Sequence, residues 1–279
     1  MTPGSLGRST VIITGASGGI GASAARQLAA HGAAVIVVGR SPEKYRKVLA
    51  GLEGEGADHR LVAADFRDLA SVAAAARRII EVGPGAGRED LIVINNAATA
   101  GTRGVTGDGF ELAFGVNYVA HYLLTSLLLE AALPITRVIN VTSNAHYSTP
   151  RLDLDQAMGK TRSFSGWKEY AHSKAAVAAF SLELAERVPQ VVSLAVHPGV
   201  VATGLWRRIP QPFRALATRR MAPPEVGAIP LVRAATDPSL RSGAYLGPEG
   251  LRTPGRAVLD PAARRSLWDA TGRWVDSFR

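Results

Sequence analysis

Short β-branched runs alternate with longer segments whose apolar residues recur at helical spacing. The runs at 10–14 (TVIIT), 34–39 (AVIVVG), 59–64, 91–94, 137–142, 191–197 and 244–246 read as strands. The periodic segments run from the glycine turn to about His31, then over 42–52, 69–82, 109–132, 167–188, 224–236 and 261–277. These read as helices. Strands alternating with helices across short joins predict right-handed crossovers and an α/β fold. The expected architecture is a single-domain, Rossmann-like, doubly wound parallel sheet with helices on both faces. No inter-domain linker and no solenoid repeat interrupts the pattern.

Composition narrows the class. The chain has 279 residues, 47% hydrophobic and 20% charged, as expected of a globular protein with a sizeable core. There is no cysteine, which excludes disulfides, thiol nucleophiles and cysteine-ligated metal, and points to a reducing, cytoplasmic setting. No metal site is expected. No apolar run approaches the roughly 20 residues that span a bilayer. The net charge of +9 invites an anionic ligand or surface. No basic run is interleaved with aromatics, so nucleic acid is not expected as a partner.

Three features carry candidate chemistry. The first is Gly15-Ala16-Ser17-Gly18-Gly19-Ile20-Gly21, between the first strand and the first helix. Glycines here let backbone N–H groups approach a pyrophosphate at a helix N-terminus. A tight turn without a ligand is the alternative. The second is Arg40, which ends the second strand about twenty positions past the glycines, where an arginine accommodates a 2′-phosphate. With Ser17 it argues for NADP(H); the alternative is a surface arginine. The third is Tyr170 and Lys174, four apart on one helix. A free phenol ionises near pH 10. A neighbouring ammonium is expected to lower that value and make the phenol useful for proton transfer.

Other positions join these. Asp65-Phe66 ends the third strand, where a carboxylate could accept an adenine amino group. Asn95-Asn96-Ala97-Ala98 follows the fourth strand, where the amides either tie strands together or touch cofactor. Asn117, inside the long helix, is expected to bend it and hold a water. The stretch 204–224 carries Arg207, Arg208, Arg214, Arg219 and Arg220 among Leu205, Trp206, Ile209, Phe213, Leu216 and Met221. A substrate lid ranks ahead of a membrane-surface patch or an exposed helix pair. Trp268 and Trp274 read as core.

The order and spacing of Gly15–Gly21, Asn95-Asn96-Ala97, Asn117, Ser143, Tyr170/Lys174 and Pro198-Gly199 resemble the short-chain dehydrogenase/reductases. Within them, the chain looks most like the retinol-dehydrogenase-like group. The carriers are Asp108-Gly109-Phe110-Glu111, Val116-Asn117-Tyr118 with His121, Asn140 to His146, Ser165-Gly166-Trp167, and Ser242 to Pro248. Ala98 and Thr142 depart from the usual glycine and serine. The resemblance implies Tyr170 as acid/base, Lys174 as its pKa modulator and ribose contact, Ser143 holding the substrate oxygen, and Asn117 holding a water. It also implies Pro198, Gly199, Val201 and Thr203 at the nicotinamide, and His146, Trp206 and Phe213 at the substrate.

The expected activity is NADP(H)-dependent hydride transfer to or from an apolar ketone, aldehyde or secondary alcohol, in a chain that could self-associate. Two rivals are a redox-neutral isomerase, dehydratase or cyclase on this fold, and a non-enzymatic NADP(H)-sensing module.

Overall fold

The computed structural model describes residues 6–52, 58–202 and 221–279. Eight strands form one sheet in the order β3-β2-β1-β4-β5-β6-β7-β8. They are β1 Ser9–Thr14, β2 Ala34–Gly39, β3 Arg60–Ala63, β4 Asp90–Asn95, β5 Ile135–Val141, β6 Val192–Val196, β7 Tyr245–Gly247 and β8 Gly250–Arg252. All neighbours pair in parallel except β7 and β8. The helices are α1 Gly19–Ala30, α2 Pro42–Leu49, α3 Leu69–Val82, α4 Leu112–Glu130, α5 Trp167–Arg187, α6 Pro224–Thr236, α7 Arg256–Leu259 and α8 Pro261–Val275.

Both sheet faces are buried, which is why the strands read as continuous apolar runs. Val11, Ile13, Val35, Val37, Ile92 and Ile94 face α1 and α6. Ile12, Ile36, Val38, Leu91 and Val93 face the opposite way, toward α3, α4 and α5. The chain adds strands outward one way from β1 and the other way from β4, so the winding reverses between them. A doubly wound sheet opens its ligand crevice at that switch, outside the carboxyl ends of the strands. The glycine turn after β1, Asn95 to Ala98 at the end of β4, and Ser143 after β5 all lie along that edge.

The structure corrects several expectations. The last strand is not final: β8 folds back antiparallel on β7. It is too short to show a period, and α7 escaped notice for the same reason. Helix α4 begins at Leu112 rather than 109, since Gly109 takes φ +88 in the turn before it. It is one helix, widened into a π turn at Gly115–Val119 around Asn117. It runs 19 residues, and an 18-residue window of it has a mean hydropathy of 1.5, long and apolar enough by composition to cross a membrane. However, 83% of that stretch is buried inside the protein, so it is a core helix. Most of the expected lid, 204–220, lies outside the described residues.

One close approach fixes the cofactor edge of β2. A Cβ on Gly39 would collide with the buried Tyr45 ring and hydroxyl. Gly39→Ala should therefore cost about 1–3 kcal/mol through overpacking. Urea unfolding of both proteins measures it, and an unchanged midpoint would show that Tyr45 yields freely.

Candidate active site

The glycine turn is built by two kinds of glycine. Gly15 sits at φ +70, and a Cβ there would lie 2.6 Å from the Ala97 Cα. A Cβ on Gly21 would lie 2.5 Å from the Asn96 side-chain nitrogen. These two let the turn pack on the end of β4. Gly18 has nothing within 4 Å of its Cβ position and is exposed. It caps α1 without a side-chain hydrogen bond, and the first turn holds no acid. The first N–H groups of α1 are thus left for an anion. The adjoining cleft of about 360 Å³ is lined by Ser17, Gly18 and Gly19 with Arg26, Lys44, Lys47 and Glu225 among others. An open helix N-terminus facing a cationic cleft matches the phosphates of a dinucleotide. Ile20 is partly buried beside the turn.

Arg40 is exposed at the end of β2. Its charge reaches both Tyr45 and Asp65. Burial pushes the Tyr45 phenol up, and neighbouring Ser17 pulls against it by less. Ser17 and Arg40 therefore border the same edge. Arg67 Nη2 donates to Asp65 Oδ2 at 2.6 Å and Arg67 Nε to Asp65 Oδ1 at 3.1 Å. The Arg67 guanidinium holds this carboxyl below its usual range. Phe66 turns its ring into the core, 4.7 Å from the His121 ring, so only its backbone faces the crevice edge.

The end of β4 is held by its amides. Asn95 Nδ2 donates to Asn140 Oδ1 at 2.9 Å and to Thr125 Oγ1 at 3.0 Å, tying β4 to β5 and α4. Asn96 Nδ2 donates to the Thr14 carbonyl at 2.8 Å. The Thr14 hydroxyl accepts from the backbone N–H of Asn96 at 2.8 Å and of Ala97 at 2.9 Å. Ala98 follows, partly exposed. Asn95 and Asn96 act on the scaffold here, the structural alternative of their sequence reading.

Asn117 sits in the π turn, a local widening often found at functional positions. Its side chain accepts from Thr99 N at 2.8 Å and donates to Thr99 O at 3.0 Å and Ser173 Oγ at 2.9 Å. Its carbonyl meets His121 Nδ1 at 3.0 Å, and His121 Nε2 meets the Thr14 hydroxyl at 2.9 Å. Burial pushes His121 down to about 3, so the ring is neutral. Thr14, His121 and Ser173 thus link the glycine turn, the π turn and α5. Sequence reasoning gave them no role. Thr14 and Ser173 were signalled only by placement, at a strand end and one helical turn from Tyr170, whereas His121 stood among the residues that carry the family resemblance.

Ser143, Tyr170 and Lys174 converge. The Ser143 side chain lies close enough to the Tyr170 hydroxyl to favour its phenolate. Lys174 Nζ lies 5.9 Å from the centre of the Tyr170 ring and donates to the Val141 carbonyl at 2.8 Å. Both groups are buried, 6% and 3% exposed. The electrostatics correct the expected lowering of Tyr170. Burial raises its pKa, and the Ser143 side chain pulls down by less. Burial also pulls Lys174 down to about 7, so each partner is biased toward its neutral form.

His146 does not line a pocket. It is fully buried, its Nδ1 donates to the Ser143 carbonyl at 2.7 Å, and its Nε2 accepts from Gly255 N at 2.9 Å. Burial holds it below the usual imidazole range, so it is a neutral brace for the Ser143 backbone. Gly199 takes φ +91 against Pro248, beside the partly buried Pro198. Val201 is buried, and a Cβ on Gly227 would meet its side chain at 2.6 Å. Thr203, Trp206 and Phe213 lie outside the described residues. No cluster of potential metal ligands occurs among the described residues.

Comparison with known proteins agrees with this arrangement. The short chain dehydrogenase family pattern matches residues 9–153. Retinol dehydrogenase 13 of Homo sapiens is 33% identical over 283 residues, covering 95% of this chain and 84% of that protein. Polyprenol dehydrogenase of Mus musculus is 36% identical over 275 residues, covering 92% and 81%. The crystal structure of an uncharacterized protein from Mycobacterium paratuberculosis superposes with a TM-score of 0.79 at 30% identity, covering 98% and 95%. The open glycine turn, the Ser143–Tyr170–Lys174 cluster and likeness along nearly the whole chain agree: this protein belongs to the short-chain dehydrogenase/reductase superfamily, in its retinol-dehydrogenase-like group.

Proposed function

We propose that this oxidoreductase uses NADP(H) to reduce an apolar ketone or aldehyde, or to run the reverse reaction on a secondary alcohol. The observation that carries the reading is the Tyr170 phenol beside the Ser143 hydroxyl, with Lys174 Nζ 5.9 Å from its ring centre. The nicotinamide, when bound, supplies or accepts the hydride. The protein supplies position and the proton. Ser143 donates a hydrogen bond to the substrate oxygen and fixes it beside Tyr170. Tyr170 passes its hydroxyl proton to that oxygen. Lys174 favours the phenolate left behind. A phenol whose pKa is raised by burial stays protonated at neutral pH, which suits a proton donor and therefore reduction.

Residues present at the cofactor edge match the remaining needs. The backbone at Gly18, Gly19 and Ile20 would hold the pyrophosphate at the N-terminus of α1. Ser17 and Arg40 would hold the 2′-phosphate, with Lys44 and Lys47 adding positive charge along the cleft. Pro198 and Gly199 would border the nicotinamide. The relatives named for retinol and polyprenol support an apolar substrate.

Two experiments test the reading. Tyr170→Phe keeps the ring and removes only the transferable proton. Turnover of a carbonyl panel, followed by nicotinamide absorbance, should fall by about 10²–10⁴-fold. Near-wild-type turnover would remove Tyr170 from the mechanism. Product formation without an absorbance change would establish the redox-neutral alternative, and cofactor binding without any turnover the sensing one.

Arg40→Ala tests cofactor choice. A charge-assisted hydrogen bond contributes roughly 1.5–3 kcal/mol. NADPH binding should therefore weaken by about 10- to 150-fold, with NADH barely affected. Fluorescence titration of both proteins with both cofactors decides it. Equal wild-type affinities for NADH and NADPH would refute the NADP(H) assignment.

A further inference from the structure

The exposed aromatic side chains among the described residues are Tyr147, Phe164 and Trp167. All three border the catalytic segments. Tyr147 lies on the 3₁₀ turn Asn144–Ser148 that follows Ser143. Phe164 and Trp167 lie at the entry to α5, just ahead of Tyr170. Trp167 is nearest the chemistry. Its ring centre is 5.4 Å from that of Tyr170, with the planes at 89°.

This placement is supported by two glycines. Gly101 takes φ +57, and a Cβ there would lie 3.3, 3.4 and 3.5 Å from Cε2, Nε1 and Cζ2 of the indole. Near-equal distances to three neighbouring ring atoms put Gly101 over one face of that ring. Gly166 takes φ +72, and a Cβ there would lie 2.9 Å from the Thr102 carbonyl oxygen. The segment after β4 is thus pressed against the start of α5, with the indole fixed beside the phenol. Trp167 keeps 38% exposure, although its neighbour Tyr170 has 6%.

We propose that Trp167 is a specificity-determining residue, selecting substrates whose carbonyl is joined to an aromatic ring. This rests on the oxidoreductase reading above, because it places the substrate oxygen at Ser143 and Tyr170. With the oxygen there, a substituent on the carbonyl carbon comes within reach of the indole. Aromatic pairs favour edge or offset contact at centroid separations of about 4.5–7 Å, beyond what buried area alone contributes. A saturated ring of the same carbon count gains the area but not that term.

The test compares acetophenone with cyclohexyl methyl ketone, matched in carbon number. Both are measured with NADPH-loaded protein, by saturation-transfer NMR for binding and by absorbance for turnover. Wild type should favour acetophenone by about 2- to 12-fold, the range of an aromatic pair. Trp167→Leu keeps apolar bulk and should lose the preference. Trp167→Phe keeps a ring and should retain most of it, which also separates loss of aromaticity from loss of folding. No preference in wild type, an unchanged preference in Trp167→Leu, or binding of neither ketone would each overturn the proposal. A Trp167-dependent binding preference without NADPH consumption would sustain the role of Trp167 while refuting reduction.

Discussion

A lysine with 3% exposure is held almost wholly out of water, which disfavours its charge, and much of the site is arranged around it. Lys174 Nζ donates to the Val141 carbonyl at the end of β5, and among the described residues no carboxylate is paired with it. Its backbone is pinned as well, since the Thr142 hydroxyl donates to the Lys174 carbonyl at 2.7 Å. The next residue back, Ser173, accepts from Asn117 at 2.9 Å and donates to the Tyr170 carbonyl at 2.7 Å. A group that would otherwise swing out to water is thus held under the phenol by strand, helix and π turn together. Such local unfavourability persists where the surroundings over-determine it, and function is the usual reason.

The sheet makes this possible. Parallel strands buried on both faces leave only their carboxyl ends for chemistry, and the β1/β4 switch opens a crevice there. Thr14 and Asn96 lock the two strands across that switch. His121, held neutral by burial, carries the same linkage to the Asn117 carbonyl. The cofactor edge and the proton-transfer site are therefore one hydrogen-bonded unit. Each stabilises the geometry of the other.

Much of this was legible in the sequence. Strand β2 and helix α3 fall on the expected residues because their apolar periods run unbroken up to a glycine, and α6 does so despite Gly227 and Pro230 inside it. Tyr170 and Lys174 were legible as an i, i+4 pair and the glycine turn as a strand-to-helix join. What was not legible depends on the third dimension. The sign of the Tyr170 shift turns on burial by segments distant in sequence, not on its helical neighbour. His146 looked like a pocket residue until Gly255 arrived to take its second nitrogen. The arginine beside Asp65 stood in plain view, yet nothing in one dimension shows that it closes on that carboxylate. The role of Trp167 needed Gly101, far away in sequence and against its ring in space.

The central claim is that burial, rather than a counter-charge, sets the ionisation of this site. The ¹³Cε chemical shift of Lys174, assigned by comparison with Lys174→Met and followed across pH, tests it most directly. The account predicts a midpoint pulled down to about 7, against about 10.4 for an unperturbed lysine. A midpoint close to the unperturbed value would show an ammonium that is solvated or paired, and would contradict the account.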